Sequence, residues 1–382
     1  MMVTRKEQTK IKVLFVIHDL SVGGAEKVLV NLVNHMDYLK FDITVLALFD
    51  EGVNKQFLNE NITYRYMFKH MIRGNSQLMK VLSPQKLYQW VIRDSYDIIV
   101  SYLEGPTARI VSGCPKGNTK TVSWIHCTFH NEKELAKSFR SIKEAKECYR
   151  TADCMVFVSE EVKQAFLEIC PVRGKTKVLY NTNETDLIVS KAKEEIKEGI
   201  FLQDTFFWCG VGKIVQNKGF DRMLRIQKRL LKEGYSVHLL ILGTGQQEEE
   251  LKKWCIENDI MDSVSFLGYK TNPYKYVSKC DLFVCASYAE GFSTAATEAL
   301  ITGTPVCTVR VSGMTEMLGA ENEFGVIVEN DEEALYKAVK KLIDDPQLLE
   351  YYKEKSLQRG EKFSTTETVN AVQNMLMRLV ER

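Results

Sequence analysis

The sequence has 382 residues, of which 45% are hydrophobic and 26% charged, and its net charge is +1. That length exceeds what one hydrophobic core usually supports, so we expect two domains. The ordinary composition excludes a disordered or fibrous chain, and the near-zero net charge gives no reason to expect a nucleic-acid partner. No stretch approaches the roughly 20 apolar residues of a spanning helix. The polar first ten residues do not match a signal peptide, so we expect a cytoplasmic protein.

The ten cysteines form neither a CxxC pair nor a zinc-type ligand spacing. Several lie inside apolar runs, such as Cys209 and Cys285, where a free cysteine behaves as a small hydrophobic side chain. We therefore expect free thiols in a reducing compartment and no zinc site.

In the first half of the chain, short apolar runs alternate with a helical pattern. An amphipathic helix is predicted over Ala25–Val33, and strands are predicted over Lys12–Ile17, Asp42–Leu48, Asp97–Val100, Thr121–Trp124 and Met155–Ser159. Continuous Val, Ile and Leu runs separated by helices are typical of a parallel sheet covered on both faces. The first half is therefore predicted to be an α/β domain.

The same pattern restarts after a polar, charge-rich stretch, Asn181–Leu202, which we interpret as a linker. Strands are predicted over Phe206–Val211, His238–Leu242, Val264–Phe266, Leu282–Cys285 and Pro305–Thr308. Helices are predicted over Phe220–Glu233, Glu248–Asn258, Thr294–Ile301 and Asp331–Ile343, and the stretch Thr365–Arg382 carries an apolar stripe at helical spacing. We predict an N-terminal domain over residues 1–185, a C-terminal domain over 186–363 and a last helix over 364–382.

Several clusters of polar residues follow predicted strands, where the ligands of open parallel sheets bind. The first, Gly23–Gly24, lies between the first strand and the first helix, so that backbone N–H groups and the helix dipole could face an anion. A tight strand-to-helix turn would explain the two glycines equally well. The loop is not GxGxxG and therefore does not indicate dinucleotide binding.

The second cluster, Lys213 and Lys218, follows a strand and is flanked by glycines in GKIVQNKGF. Two ammonium groups at such a turn could neutralise a diphosphate leaving group without a metal ion. The alternative is a pair of solvated lysines. The position after a strand favours the functional interpretation.

The third cluster is EGFSTAATE, in which Glu290 precedes a helix and Glu298 lies about one turn into it. Ser293 and Thr294 are candidate N-caps, and the neighbouring N–H groups could hold a phosphate. Either carboxylate could instead be only a partner of the helix dipole. Two carboxylates around a phosphate-binding turn indicate recognition of sugar and ribose hydroxyls. The fourth cluster is His126 at a strand end, which by itself indicates no more than a hydrogen-bonded side chain.

Together these segments resemble the retaining glycosyltransferases of family 4, which have the GT-B fold. The spacing of Glu290 and Glu298 is similar to that family's EX7E signature, and GKIVQNKGFD is similar to its diphosphate-binding segment. The segments LGTG at Leu242–Gly245, FLGY at Phe266–Tyr269 and SVGGAEK in the first loop also match. The resemblance implies two Rossmann-like domains whose parallel sheets face each other across a cleft, with a C-terminal helix that crosses back to the N-terminal domain.

The resemblance also implies a role for each matching residue. Glu290 would contact the donor sugar, Glu298 the ribose, and Lys213 and Lys218 the diphosphate, although the family usually carries Arg, with its bidentate fork, where Lys213 stands. His126 would lie near the reacting centre, so the implied catalytic residues are His126, Glu290, Lys213 and Lys218. Further implied donor-binding positions are Gly23, Gly24, Gly243, Tyr269, Lys270, Gly291, Phe292, Ser293 and Thr294.

We therefore predict a hexosyltransferase of surface polysaccharide or glycan assembly. It would move a hexosyl or N-acetylhexosaminyl group from a nucleotide diphosphate sugar, with UDP expected from the family, to a saccharide acceptor. The chain contains no D-x-D sequence, so we expect no metal and no other cofactor. The resemblance implies retention of the anomeric configuration.

Residues 61–93 include no acidic residue. Apolar residues there are interleaved with the basic residues Arg65, Lys69, Arg73, Lys80, Lys86 and Arg93. This pattern suits peripheral docking on the anionic inner face of the cell membrane, at about 1 kcal/mol per basic residue near the surface, and a lipid-linked acceptor would follow naturally. The alternative is an ordinary amphipathic helix pair packed on the domain.

Two other functions share part of the pattern. A nucleotide-dependent oxidoreductase would also have two Rossmann-like units, but it requires GxGxxG after the first strand, which this chain lacks. A sugar-nucleotide-binding partner subunit without turnover would keep the fold. The presence of both glutamates and both lysines counts against that second alternative.

Overall fold

A computed structural model of the chain describes residues 9–21, 23–71, 79–197 and 199–381. The fold is α/β and divides into two compact units. The N-terminal unit extends to Thr182 and takes in the chain again from Thr366, whereas the C-terminal unit is Asn183–Thr365. The end of the chain therefore belongs to the N-terminal unit, and the predicted crossing of the last helix is confirmed.

The described part of the N-terminal unit contains a parallel sheet with seven strands in the order β3-β2-β1-β4-β5-β6-β7. The strands are β1 (Ile11–Ile17), β2 (Phe41–Phe49), β3 (Thr63–Phe68), β4 (Ile98–Ser101), β5 (Lys120–Ile125), β6 (Cys154–Phe157) and β7 (Lys175–Val178). Successive residues of β4 and β6 are all buried. Since neighbouring side chains of a strand point to opposite faces, both faces of the central sheet are covered.

The helices of this unit begin where the sequence supplies capping residues. Ser83, Asn131, Ser141 and Ser159 each accept a hydrogen bond from a first-turn N–H group. The helices are α1 (Gly24–His35), α2 (Pro84–Val91), α3 (Pro106–Val111), α4 (Glu132–Ala136), α5 (Ile142–Arg150) and α6 (Glu160–Ile169).

The C-terminal unit has a second parallel sheet, with six described strands in the order β10-β9-β8-β11-β12-β13. The strands are β8 (Phe206–Val211), β9 (Val237–Leu242), β10 (Val264–Gly268), β11 (Leu282–Cys285), β12 (Val306–Val309) and β13 (Val326–Val328). The helices are α7 (Thr185–Ala192), α8 (Phe220–Lys232), α9 (Glu248–Glu257), α10 (Tyr274–Val277), α11 (Thr294–Thr302), α12 (Met314–Leu318), α13 (Glu332–Asp344) and α14 (Pro346–Gly360).

The last helix, α15 (Thr365–Val380), packs on the N-terminal unit. Val369, Val372 and Leu376 are buried at helical spacing. The side-chain oxygen of Gln373 accepts a hydrogen bond of 2.7 Å from the backbone N–H of Asp37, between α1 and β2. The apolar stripe read from the sequence is therefore the face that holds this helix to the N-terminal unit.

Two predictions of secondary structure are wrong. The presumed linker contains α7, because Ile188 packs with Tyr274 and Ile301 in an apolar cluster of the C-terminal unit. In the basic segment, Thr63–Phe68 is the edge strand β3 and not part of a helix pair, because it pairs in parallel with β2. Residues 72–78 of that segment, including Arg73, lie outside the described residues.

Candidate functional site

The order of the strands determines where each unit can bind a ligand. The order reverses between β1 and β4 in one sheet and between β8 and β11 in the other. Loops that leave two such strands diverge, and ligands of open α/β sheets bind in the resulting crevice. In the C-terminal unit, the loop after β8 carries Lys213 and Lys218, and the loop after β11 carries Glu290. The residues singled out from the sequence thus flank this reversal point.

Lys218 and Glu290 are in direct contact. The ammonium Nζ of Lys218 lies 2.6 Å from the carboxylate Oε1 of Glu290. Burial lowers the pKa of the ammonium, but the charge and hydrogen bond of Glu290 outweigh burial and raise the pKa of Lys218. Both side chains are partly exposed, at 31% for Lys218 and 11% for Glu290, so a ligand can reach them. A charged lysine and a carboxylate therefore meet at the carboxyl ends of the central strands.

Backbone contacts hold the two loops together around this pair. The side-chain amide of Asn217 donates to the carbonyl of Ala289 at 2.9 Å, and the backbone N–H of Tyr288 donates to the carbonyl of Asn217 at 2.8 Å. Gly219 has a left-handed φ of +68° and lies so close to Ala286 that any Cβ would overlap its carbonyl. The ion pair therefore rests on a fixed backbone.

Ser287 also contacts Glu290 and was not predicted from the sequence. Its hydroxyl donates to Oε1 of Glu290 at 2.8 Å, and the residue is 2% exposed. Cys285 lies behind it, with Sγ 3.6 Å from the hydroxyl. The only sequence signal was a serine two residues beyond a predicted strand, which is too common to indicate a function.

Ser293 is the N-cap of α11, as predicted, and accepts a hydrogen bond of 3.3 Å from the N–H of Ala296. The first-turn N–H groups beyond Ser293 concentrate positive potential at this end of the helix. Gly291 and Phe292, just before the cap, are buried, whereas Thr294 is half-buried. Glu298 lies within the helix and is 7% exposed. The carboxylate is therefore placed about one turn behind the N-terminus that is a candidate phosphate site.

The loop after β9 lies beside the lysine loop. The N–H of Gly212 donates to Leu242 and that of Ile214 donates to Thr244, each at 2.9 Å. Gly243 has a φ of +138°, and a Cβ there would overlap the carbonyl oxygen of Gly212. The glycine of LGTG is therefore required by the close approach of two loops.

The Lys218–Glu290 ion pair does not include three other predicted donor-binding residues, Lys213, Tyr269 and Lys270. Lys213 is exposed and forms no ion pair with a described residue. Tyr269, after β10, is 43% exposed, and Nζ of Lys270 lies 5.3 Å from the ring centre of Tyr276. A role for these residues in donor binding stays a prediction.

In the N-terminal unit, the loop after β1 carries Gly23 and Gly24. Gly23 is the extended N-cap of α1 and supplies no side-chain cap. The carboxylate of Glu26 lies against Gly23, at the same helix end that we expected to face an anion. Contact between this loop and a diphosphate stays a prediction and would require Glu26 to move.

Asp19 stabilises the start of the same loop. One carboxylate oxygen lies 2.6 Å from Nδ1 of His18, and the other accepts from the N–H of Ser21 at 2.8 Å. Burial raises the pKa of Asp19, but the hydrogen bonds from His18 and Ser21 outweigh burial and lower that pKa to about 2. The loop therefore contains a carboxylate that stays ionised at neutral pH.

His126 follows β5 and packs against Tyr102, with ring centres 4.7 Å apart. Burial lowers the pKa of His126 to about 3, so the imidazole is neutral at physiological pH. Its backbone N–H and that of Cys127 both donate to Oε1 of Glu104, and burial raises the pKa of this carboxyl group. Glu104, which was not predicted from the sequence, therefore positions the backbone at His126.

Among the residues that the structure describes, no three histidine, cysteine or acidic side chains are grouped in a way that could hold a metal ion. The basic groups at the reversal point are Lys213 and Lys218, on the loop after β8. Their positive charges suit an anionic ligand. Metal independence itself stays a prediction.

The two units match two family descriptions. Residues 22–187 match "Glycosyltransferase Family 4", and residues 192–359 match "Glycosyl transferases group 1". These two segments contain the first glycine loop, His126, the lysine loop and the glutamates of the third cluster.

Curated relatives align over much of the chain. An N-acetylgalactosamine-N,N'-diacetylbacillosaminyl-diphospho-undecaprenol 4-alpha-N-acetylgalactosaminyltransferase of Campylobacter jejuni is 29% identical over 357 residues, covering 91% of this chain and 94% of the relative. A capsular polysaccharide biosynthesis glycosyltransferase, CapM of Staphylococcus aureus, is 30% identical over 180 residues, covering 45% of this chain and 46% of the relative.

The fold is similar to that of the Anabaena protein HepE, solved in complex with UDP and glucose. The TM-score is 0.76 at 17% identity, and the match covers 96% of this chain and 100% of HepE. The fold prediction of two Rossmann-like units is therefore confirmed. The oxidoreductase alternative is wrong, because both units match glycosyltransferase families. A partner subunit without turnover would share this fold, and only an assay of turnover separates it from an enzyme. The chain belongs to glycosyltransferase family 4 and is a transferase of the kind that builds bacterial polysaccharides.

Proposed function

We propose that this glycosyltransferase moves a hexosyl or N-acetylhexosaminyl group from a UDP-sugar to a lipid-linked saccharide, with retention of configuration and without a metal ion. The observation that carries the proposal is the contact between Lys218 and Glu290 at the reversal point of the C-terminal sheet, 2.6 Å between Nζ and Oε1. A cation for a diphosphate and a carboxylate for sugar hydroxyls are needed side by side in such a donor site.

Charge on the leaving diphosphate develops as the bond to the anomeric carbon breaks. The N-terminus of α11 is held in place before the reaction, and such preorganised groups stabilise developing charge without reorganisation. The Lys218 ammonium, which contacts Glu290, would turn to the diphosphate and add a positive charge. Lys213 is exposed on the same loop and would add a second positive charge. The acceptor hydroxyl would attack from the face that the diphosphate leaves, and a diphosphate oxygen would take the acceptor proton.

The proposed acceptor rests on the relatives. The Campylobacter jejuni enzyme is named for an acceptor on diphospho-undecaprenol, and other relatives are named for lipopolysaccharide core and capsule synthesis. The UDP donor is supported by HepE, whose complexes contain UDP with glucose and UDP-glucose. A saccharide linked to a polyprenyl diphosphate is the acceptor class that is consistent with the names of these relatives.

A surface of the N-terminal unit supports docking on an anionic membrane. Trp90 on α2 packs edge-on against Phe68 of β3, with ring centres 5.7 Å apart, yet remains 41% exposed. Lys69, Lys86 and Arg93 are exposed in the same segment. Exposed aromatic and basic side chains together favour the interface of an anionic bilayer. No helix in the described ranges has the length and apolarity needed to span a bilayer.

Arg109 and Arg140 hold the middle of this segment in place. The buried guanidinium of Arg109 donates to the carbonyls of Met79 and Leu82, each at 2.7 Å. Arg140 donates to the two intervening carbonyls at 2.5 and 2.6 Å. Glu144 pairs with both arginines. The network of Arg109, Arg140 and Glu144 therefore holds the backbone of residues 79–82 within the proposed docking surface.

The donor is tested by a thermal-shift panel of UDP-N-acetylgalactosamine, UDP-N-acetylglucosamine, UDP-glucose, UDP-galactose, GDP-mannose and NAD(P). We expect stabilisation by UDP-sugars. Mass spectrometry of products from a polyprenyl-diphosphate-linked saccharide pool then measures transfer. A chain that binds none of the nucleotide sugars, or that binds one without transfer or hydrolysis, would contradict the proposal.

The stereochemistry is tested by NMR of the product formed from an α-linked donor. Retention predicts an α-linked product, with a small coupling between the anomeric and neighbouring protons for a gluco- or galacto-configured sugar. A β-linked product would overturn the proposed attack geometry and leave the transferase assignment intact. Transfer that persists after exhaustive treatment with EDTA is expected, and loss that Mg²⁺ or Mn²⁺ restores would contradict metal independence.

A further inference from the structure

We propose that Ser287 is a positioning residue that holds the carboxylate of Glu290 toward the donor sugar while the diphosphate engages Lys218. The proposal rests on the proposed function, because it concerns the same donor site. It goes further by assigning a role to a buried hydroxyl that neither the sequence motif nor the family descriptions single out.

Two donors converge on a single oxygen atom. Oε1 of Glu290 accepts from the Ser287 hydroxyl at 2.8 Å and from Nζ of Lys218 at 2.6 Å. The two differ in freedom of movement, since the Ser287 side chain has one rotatable bond to its oxygen and is 2% exposed. The Lys218 side chain is long, and its exposed fraction is 31%. Ser287 is therefore the fixed contact of the pair and Lys218 the movable one.

A bound diphosphate would change these two contacts differently. Its negative charge attracts the Lys218 ammonium, so the diphosphate competes with Glu290 for that cation. The hydroxyl of Ser287 is neutral and the residue is 2% exposed, so the same competition does not act on it. Without Ser287, Oε1 of Glu290 would lose both of these contacts when Lys218 turns to the phosphate. Any rotamer freedom that the side chain gains must then be removed at a cost in free energy.

The backbone around Ser287 suits this role. Ala286 packs against Gly219, and Asn217 bonds to both Tyr288 and Ala289. The hydroxyl therefore sits on a segment that is tied on both sides to the lysine loop. A purely local role is the competing explanation, since Ser287 and Glu290 are three residues apart and the bond could serve only to shape their turn.

Three variants separate these explanations. Ser287→Ala removes the hydroxyl, Ser287→Thr keeps a hydroxyl at the same carbon, and Ser356→Ala is a matched control. Ser356 is a fully buried serine of the same unit whose Oγ has no hydrogen-bond partner among the described residues. Each variant is compared with the wild type in kcat and KM for UDP-N-acetylgalactosamine or whichever UDP-sugar supports turnover, in Kd for UDP alone, and in melting temperature.

We expect Ser287→Ala to lower kcat/KM for the UDP-sugar by roughly 10-fold, the lower end of the range for one hydrogen bond to a charged group. Its Kd for UDP should stay within about twofold of the wild type, because UDP carries no sugar for Glu290 to contact. Ser287→Thr should recover most of the loss, and Ser356→Ala should match the wild type in kcat/KM.

Two results would overturn the positioning role. Unchanged kcat/KM in Ser287→Ala would show that the hydroxyl does not position Glu290. An equal loss of UDP and UDP-sugar affinity, with a lower melting temperature, would show that Ser287 only shapes the loop. Failure of the proposed function is seen separately, because the wild type would then release no UDP from any donor before a variant is compared.

Discussion

The ammonium of Lys218 lies 2.6 Å from the carboxylate Oε1 of Glu290, and this ion pair links the loop after β8 to the loop after β11. Those loops leave the two strands that flank the reversal point of the C-terminal sheet. A group expected to bind phosphate and a group expected to bind sugar are thus paired with each other. Binding of the diphosphate and orientation of the sugar-binding carboxylate are consequently coupled through one contact.

Lys218→Ala should lower kcat by roughly 100- to 1,000-fold, the usual effect of losing one donor to a developing negative charge. Steady-state kinetics with the preferred UDP-sugar measure this loss. Lys232→Ala, at an exposed lysine near the end of α8, serves as a control and should keep wild-type kinetics. Near-normal turnover of Lys218→Ala would remove the role assigned to that ammonium.

Glu290→Gln and Glu298→Gln should separate sugar recognition from nucleotide recognition. Hydrogen bonds to a charged group contribute about 1.5–3 kcal/mol, so each change should cost roughly 10- to 100-fold. For Glu290→Gln we expect the loss in kcat with UDP affinity retained. For Glu298→Gln we expect weaker binding of UDP itself. Titration calorimetry with UDP checks the assignment, and the reverse pattern would exchange the two roles.

His126 should make stability sensitive to mild acid. Its folded-state pKa is about 3, whereas an unfolded histidine titrates near 6.5. Below about pH 6.5 the unfolded chain binds a proton at this histidine and the folded chain does not. The free energy of unfolding is therefore unaffected above that pH and falls progressively as the pH drops toward 3. Between pH 7 and pH 5 the loss from this one group is about 2 kcal/mol.

Urea unfolding at both pH values, followed by tryptophan fluorescence, measures this effect. The fall in unfolding free energy should be about 2 kcal/mol smaller in His126→Gln than in the wild type. His130→Gln is the control, because His130 is exposed four residues away. Identical pH dependence in His126→Gln and the wild type would show that the fold does not hold His126 in its neutral form.

Gly243→Ala should be far more damaging than Gly234→Ala. Both glycines have positive φ angles, +138° and +89°, but a Cβ at Gly243 would overlap the carbonyl of Gly212, whereas nothing lies within 4 Å at Gly234. We expect about 1 kcal/mol of destabilisation at Gly234, from backbone strain alone, and about 3 kcal/mol or more at Gly243. Similar melting temperatures for the two variants would contradict the close approach of the loops.

Paired replacement of Lys69 and Lys86 by alanine should weaken binding to anionic vesicles. At about 1 kcal/mol per basic residue, the loss is roughly 30-fold. Co-sedimentation with vesicles containing phosphatidylglycerol measures it, and pure phosphatidylcholine vesicles should bind little. A variant with alanine at Lys337 and Lys341 of the C-terminal unit serves as the control. Absent binding of the wild type to anionic vesicles would exclude the docking surface.

The local pattern of the sequence predicted the central part of each sheet. Every predicted strand overlaps an observed one, because runs such as Lys12–Ile17 and Leu282–Cys285 are apolar enough to be buried on both faces. The edge strands β3, β7 and β13 were missed. β13 has only three residues, Val326–Val328, and pairs with β12. Thr63–Phe68 and Lys175–Val178 are largely polar and half-exposed, and only hydrogen bonds to β2 and β6, which are distant in sequence, make them strands.

For the candidate site, the sequence by itself determined which residue types follow which strands, and it thereby identified Lys218, Glu290, Ser293 and the glycines around them. Spacing along the chain was sufficient because a parallel strand always delivers its following loop to the same edge of the sheet. The tertiary structure alone decided that Lys218 pairs with Glu290, that Ser287 shares the same oxygen, and that Glu104 holds the backbone at His126. These contacts join residues through strand pairing and burial, which set distances that no local pattern encodes.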